Sequence, residues 1–451
     1  MVKEYCPLVA AALYYKKMLG ERQMKLKRFA TLTLATAATL SLAACGNNGK
    51  GDGESSDAGE IVTELKDDTT ITFWHAMNGA QEEALTKLTD DFMADNPTIK
   101  VELQNQSSYG DLQAKINSTL PSPNDLPTIS QAYPGWLWNA AEDEMLVDLK
   151  PYIDDETIGW QDQEAIRQPL LDGAKIDGTQ YGIPFNKSTE MLFYNADMLN
   201  EYDVEVPTTM EELKEASQKI YEESDGKVVG AGFDSLNNYY TIGMENKGVE
   251  FGEDLDLESD ESKEVINYYF EGIKEGYFRV AGSDQYLSTP FANEQVAMFV
   301  GSTAGEGYVA KDAEGKYEYG TAPRPEAINI QQGTDVYMFD SASSEERTAA
   351  FLYLKYLSAP DSQLEWAVQT GYMPIVESVL TSDEYKNSDM KVPATSEAAT
   401  KELFSVPVAE NSDSAYNEIR VIMENIFANT DKDLNSLIKD SKPSLENAWN
   451  Q

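Results

Sequence analysis

The feature that most constrains the fold is the alternation of two hydrophobic periods between Thr70 and Tyr133. Thr70-Ile71-Thr72-Phe73-Trp74 alternates like a strand. Residues 80–93 then place Leu85, Leu88 and Phe92 on one helical face, and Asn96-Pro97 stops that helix. Ile99-Lys100-Val101-Glu102-Leu103 alternates again, a second helical stretch is expected near 109–119, and a further strand at about 128–133. A β-α-β-α-β order demands a mostly parallel sheet with helices on both faces. Ligands of such sheets gather at the carboxyl ends of the strands.

A second set of elements follows Tyr194. Thr208 or Thr209 is positioned to cap a helix running from Met210 to about Glu223. A small-residue strand is expected at Val228 to Phe233. Residues 262–277 form a helical pattern with Val265, Tyr268, Tyr269 and Ile273 along one face. Ser343 or Ser344 should cap a helix from Glu345 to Leu357, and the last 100 residues or so read as mostly helical. No short internal repeat interrupts this order. The chain is long enough for two lobes, each with its own core.

The N-terminal region sets the compartment. From Met24, the basic residues Lys25, Lys27 and Arg28 precede a short apolar stretch, Phe29 to Leu42. That length and those flanks describe a secretory signal rather than a spanning helix. Leu42-Ala43-Ala44-Cys45 resembles a bacterial lipobox, which implies lipidation of Cys45 and a signal peptide over residues 24–44. Residues 1–23 precede a complete signal and read as a misassigned upstream start. Leu19 to Gln23 can be encoded by a purine-rich, ribosome-binding-like stretch. Residues 45–68, rich in Gly, Ser, Asn and Asp, cannot bury a core and read as a flexible tether.

Cysteine usage agrees with this processing. Cys6 and Cys45 are the two cysteines, so the processed chain keeps its anchor alone and no disulfide framework or cysteine metal site is possible. The net charge is -43, and removing residues 1–44, with seven basic and two acidic side chains, takes it to -48. Such acidity excludes nonspecific nucleic-acid binding and repels anionic membrane surfaces.

Catalysis finds little support. His75 is the single histidine, and no nucleophile-elbow, phosphate-loop or paired-histidine pattern is present. Asp254 to Glu261 has a calcium-like run of carboxylates but lacks the glycine that the loop's turn requires, so it reads as a solvated acidic loop. The reading is therefore no enzyme, no catalytic residue, no metal and no cofactor. A surface glycoside hydrolase or adhesin is kept as the reading from another class, since two of many carboxylates can flank a sugar.

Five segments carry a resemblance: Phe73 to Gly79, Pro184 to Thr189 with Leu192 to Asn195, Ala297 to Ser302, Thr370 to Ile375, and Ile419 to Ile422. From Thr70 to the C-terminus the chain resembles the extracellular solute-binding proteins that serve carbohydrate ABC importers. Within that family it is most similar to the glycerol-3-phosphate-binding branch. The resemblance implies an α/β, two-lobed periplasmic-binding-protein-like fold of the maltose-binding-protein type. Hinge strands would cross between lobes near Asn186 to Asn195, Ala297 to Ser302 and Gly333 to Phe339. Lobe 1 is expected over 69–190, with about 302–335 returning to it. Lobe 2 is expected over 191–301, completed by a mostly helical 336–451.

The same resemblance implies the site. Tyr109, Ser188, Ser302 or Thr303, Gly333, Tyr372 and Arg420 match positions that hold the ligand. One position departs from the branch: Pro134 follows Gln131-Ala132-Tyr133 where a ligand-binding glutamate stands, and Glu190 is a compensating candidate. A guanidinium, hydroxyls and backbone N–H groups also suit a phosphate. Aromatic residues suit a sugar face, with Trp74, Trp136 and Tyr240 the candidates and Trp138 and Tyr239 nearby. The ligand is thus a carbohydrate or polyol phosphate (glycerol-3-phosphate or a related phosphodiester), or alternatively a neutral oligosaccharide. The expected partners are that ligand, the permease subunits of an ABC importer, and the membrane through a lipid anchor. The expected state is a monomer, on a Gram-positive surface or facing a periplasm.

Overall fold

The structure is a computed structural model that describes residues 61–161 and 166–450. The signal, Cys45 and residues 45–60 of the expected tether lie outside the described residues, whereas its last part packs on the first lobe through Ile61 and Leu65, with Thr348 donating to the Val62 carbonyl at 2.6 Å, so the expected tether does not extend to residue 68. Two five-stranded sheets, each mixed and each with its own core, organise the rest.

The first sheet has the order β2-β1-β3-β11-β4, built from β1 (Thr69–His75), β2 (Ile99–Asn105), β3 (Ile129–Ala132), β4 (Gly182–Pro184) and β11 (Asp335–Met338). Strands β1, β2 and β3 run parallel, with Phe73 opposite both Leu103 and Ile129. Ile71 and Phe73 are buried while Thr70 is exposed, as the alternation requires. The helix Ala80–Asp95 buries Ala84, Leu85, Leu88 and Phe92 against this sheet. The helix Tyr109–Thr119 starts where Ser108 accepts a hydrogen bond from the Asp111 amide.

The second sheet has the order β7-β6-β8-β5-β9. Its strands are β5 (Glu190–Asn195), β6 (Ala231–Phe233), β7 (Phe278–Val280), β8 (Met298–Ser302) and β9 (Tyr319–Pro323). Strands β6, β7 and β8 are parallel, and β5 is antiparallel to both of its neighbours. Thr209 caps the helix Met210–Glu223. Ser343 and Glu346 form a reciprocal capping box on the helix Ser344–Leu357.

The segment Phe185–Thr189 leaves β4 and enters β5, so the first crossing overlaps the start of the expected stretch, whose remainder, Glu190–Asn195, is strand β5 of the second sheet. The chain returns between β10 (Asn329–Ile330) and β11, close to the expected third crossing. Two expectations differ from the structure. Strand β8 stays at the centre of the second sheet and is no crossing. Residues 302–330 remain with the second lobe, because β9 fills the open edge of β5. Residues 336–385 complete the first lobe instead: β11 enters between β3 and β4, and Phe351, Tyr353, Trp366 and Tyr385 join its core. The helices Ser412–Phe427 and Leu434–Trp449 do pack on the second lobe, where Phe427 meets Tyr269 edge-on at 4.9 Å.

The hinge is tightly built. Strand β10 pairs in parallel with β12 (Leu403–Phe404), and Ser188 exchanges backbone hydrogen bonds with Gln332. Gly333 has φ 86°, and a Cβ there would lie 1.9 Å from the Asn186 carbonyl oxygen, so only glycine fits between the crossing strands. Lys187 bridges them, pairing with Asp335 at 3.0 Å and donating to the Gly333 carbonyl at 3.1 Å.

Candidate ligand-binding site

A cavity of about 390 Å³ lies between the lobes and against the hinge. Segments that follow the carboxyl ends of β2, β3 and β6 supply its walls, as the parallel topology predicts. The first lobe contributes an aromatic corner. Tyr133 and Trp136 meet edge-on at 5.1 Å, and Tyr109 stands edge-on to both, at 5.8 and 6.4 Å. These half-buried rings are fixed from behind. Tyr109 Oη lies 3.1 Å from Tyr372 Oη and accepts from Asn186 at 3.0 Å, while Asn186 is held by Gln131 and Thr334. Burial in this cluster suppresses the ionisation of Tyr109, Tyr133 and Tyr372, pushing each pKa above the ordinary tyrosine value, so all three hydroxyls stay neutral hydrogen-bonding groups.

The facing wall is the start of the helix Ser412–Phe427. Asp413 accepts from Gln113 at 3.0 Å, and its Cβ sits where a side chain on Gly135 would meet it at 3.3 Å. Burial pushes the Asp413 carboxyl above its ordinary range, against the hydrogen bonds from Gln113, Trp136 and Asn417 that lower it. Tyr416, one turn on, hydrogen-bonds Asn238, which donates to Glu190 at 2.7 Å. The hinge side adds Gln331, Gln332 and Gly333.

The charge balance of this lining is simple. Among its described residues the one basic side chain is Lys187, and Asp335 already pairs with it. Asp413 faces no cation there. The walls thus offer aromatic faces, amides and one carboxylate, which suit hydroxyl-rich ligands better than an anion.

Of the residues expected from sequence, Tyr109, Trp136 and Gly333 line the cavity, and Tyr372 stands directly behind Tyr109. Ser188 is buried in the hinge. Arg420 lies outside the lining, on an exposed helix face, paired with Glu424 at 2.8 Å. Trp74 is buried, donates to Gln104 at 2.8 Å, and carries Lys115 over its ring. Tyr240 is a core residue bonded to Ser262, because the helix Leu236–Glu245 is buried almost all round; its neighbour Tyr239 is likewise core, and Trp138 lies outside the lining. Glu190 does not replace the missing glutamate: it is buried, pairs with Arg324, and burial outweighs that pairing to raise its carboxyl. Ser302 caps the turn at Ala304, and Thr303 is fully buried with its hydroxyl unpartnered.

Gln113, Tyr133 and Asp413 were not singled out. Tyr133 had a usable signal, since it directly follows a strand of a parallel sheet. Asp413 had none, being one acidic helix start among several.

A family model described as bacterial extracellular solute-binding protein matches residues 87–394. The chain belongs to that family. It is 26% identical over 370 residues to the sn-glycerol-3-phosphate-binding periplasmic protein UgpB of Escherichia coli K12, covering 75% of this chain and 81% of that one. Its fold is similar to UgpB of Mycobacterium tuberculosis in complex with glycerophosphocholine, with TM-score 0.73, 19% identity, and coverage of 85% and 98%. It is also similar to the sugar-binding protein MalE of Xanthomonas citri, with TM-score 0.72, 20% identity and the same coverage. The two-lobed, maltose-binding-protein-type fold is therefore that of this solute-binding protein. Members of the family bind solutes for transporters and act outside the cytoplasm. No helix among the described residues is long and apolar enough to cross a membrane.

Proposed function

We propose that this solute-binding protein captures a neutral carbohydrate-like solute, closes its lobes over it, and presents it to the permease of an ABC importer. One observation carries the choice of ligand. The cavity presents the Tyr109–Tyr133–Trp136 corner opposite the Asp413 carboxylate, with Lys187 already neutralised by Asp335. Pyranose C–H faces stack on such rings, and sugar hydroxyls donate to carboxylates and amides. A phosphate in this cavity faces Asp413 with no free cation among the described lining residues to offset it.

A phosphate ester is the second reading, favoured by the name of the Escherichia coli relative and by one feature of the helix. Arg420 stands one turn beyond Tyr416 and Asn417, so its guanidinium can reach the cavity if it leaves Glu424. In that reading Arg420 is the anion's partner.

Two further parts of the proposal concern attachment. Cys45 is lipidated and the residues between it and Ile61 tether a monomeric receptor to the outer face of a membrane. Labelled palmitate incorporated by the wild type and lost in Cys45→Ser tests this. The ligand is tested by thermal unfolding in the presence of maltotriose, raffinose, glycerol-3-phosphate and glycerophosphocholine. A ligand that binds the folded form alone raises the midpoint through RT ln(1 + [L]/Kd). A rise with a neutral saccharide supports the reading, and a rise with the phosphate esters alone transfers it to the second.

A further inference from the structure

Lys187 lines the ligand cavity although it is only 3% exposed. Its ammonium carries three N–H donors. Two of them find protein acceptors, the Gly333 carbonyl at 3.1 Å and Asp335 Oδ1 at 3.0 Å. Among the described residues the third donor has no protein acceptor.

The surroundings of the ammonium show where that donor is available. Gly333, whose carbonyl it holds, is itself a lining residue, whereas Asp335 is fully buried and lies outside the lining. The Lys187 carbonyl accepts from the Met373 amide at 2.8 Å, next to Tyr372, and the preceding Asn186 donates to Tyr109. The lysine is thereby fixed at the hinge end of the cavity, among the supports of the Tyr109–Tyr133–Trp136 corner. The small accessible part of its side chain belongs to the cavity wall.

The Lys187–Asp335 pair is poorly built for stability alone. A buried ion pair repays its desolvation when further hydrogen bonds satisfy the remaining oxygens, and apolar side chains of similar size often serve as well or better. Here Asp335 Oδ2 is buried without a partner, so both members of the pair are left short of one hydrogen bond. A half-satisfied charged pair between the two crossing strands calls for a task beyond holding them together.

Resting on the carbohydrate reading above, we infer that Lys187 is a ligand-binding residue whose third N–H donates to a hydroxyl oxygen of the solute at the hinge end of the cavity. Asp335 cancels the lysine charge, so the wall offers a charge-assisted donor to a neutral oxygen without a net attraction for an anion. It complements Asp413, which is an acceptor on the facing wall. Lys187 belongs to the first crossing and bonds the returning one at Gly333, so a solute held by it touches both hinge strands at their junction.

The test is a thermodynamic cycle between protein and ligand. Glucose, galactose and maltose, each with its mono-deoxy analogues, are titrated calorimetrically into the wild type and into the double variant Lys187→Met with Asp335→Leu. That variant replaces the pair by apolar side chains and strands no charge. A second double variant, Lys187→Gln with Asp335→Asn, keeps a neutral polar pair in case the apolar one does not fold. In the wild type, loss of one particular hydroxyl should weaken binding about ten- to a hundredfold, the range for a bond to a charged group. In the apolar variant the parent sugar is weakened to a similar degree, and parent and analogue bind alike. In the amide variant the difference between them shrinks. A deoxy profile that is the same in the wild type and in the folded variants assigns Lys187 to the hinge alone and overturns the inference, leaving the carbohydrate reading in place. Absence of saccharide binding, with or without binding of glycerol-3-phosphate or glycerophosphocholine, overturns both.

Discussion

Gln113 of the first lobe and Asp413 of the C-terminal helix share a 3.0 Å hydrogen bond across the cleft. The helix that carries Asp413 is packed on the second lobe through Ala415, Ile419, Ile422 and Met423. The contact therefore joins the two bodies whose relative motion constitutes capture. It also brings a carboxylate beside Pro134–Trp136, where the sequence lacks the glutamate expected after Tyr133. A hinge transition needs ligand contacts made only when the lobes meet, and Asp413 stands where both walls converge.

Asp413→Asn should weaken saccharide binding by about ten- to a hundredfold, the range for a lost hydrogen bond to a charged group. Titration calorimetry at pH 7 measures it. Because burial raises this carboxyl, wild-type affinity should also begin to fall at a higher pH than an ordinary aspartate dictates. Wild-type affinity in the variant contradicts a ligand contact at Asp413.

The buried cluster of Glu190, Arg324, Glu326 and Asn238 should be structural. Arg324 is almost fully buried, pairs with Glu190, and lies 2.6 Å from Glu326. Removing Glu190 leaves the buried guanidinium with Glu326 alone and takes the carboxylate from Asn238. Glu190→Ala should thus cost about 3–5 kcal/mol in urea unfolding. A loss below about 1 kcal/mol shows instead that water reaches the guanidinium.

Asp234 gives the clearest pH signature. Burial pushes its carboxyl up to about 7, against the Leu287 amide that lowers it. The folded state then binds the proton more tightly than the unfolded chain, where the ordinary value is 3.8. Its contribution to stability is present below pH 3.8 and is lost as pH rises through 7. The ceiling is about 4 kcal/mol, at about 1.4 per pH unit, and partial contact with water reduces it. Asp234→Asn retains an acceptor for Leu287 and should remove this fall in urea titrations at pH 4, 5.5 and 7. An unchanged slope assigns the dependence to other carboxyls.

Much of this was legible because local signals agreed with the fold. The strand-helix alternation gave β1 to β3 and the intervening helices to within a few residues, and the Thr209 and Ser343 caps followed from short-range chemistry. Long-range pairing was not legible. Asp335–Met338 is one buried apolar run among several, and only the gap between β3 and β4 draws it into the first sheet. Side-chain direction was equally hidden. Tyr240 and Tyr286 are both tyrosines of the second lobe. The first lies on a helix buried on nearly every face, whereas the second follows a left-handed Gln285. Arg420 shows the limit of a matched position: its helix was expected, but not the rotamer that pairs it with Glu424.

The central claim is that the aromatic corner and the carboxylate, rather than an arginine, hold the solute. The most direct measurement is the shift in thermal midpoint of wild type, Trp136→Ala and Arg420→Ala with maltotriose, raffinose and glycerol-3-phosphate. The account predicts a rise with a neutral saccharide that Trp136→Ala removes and Arg420→Ala preserves. A rise with glycerol-3-phosphate that Arg420→Ala removes contradicts it.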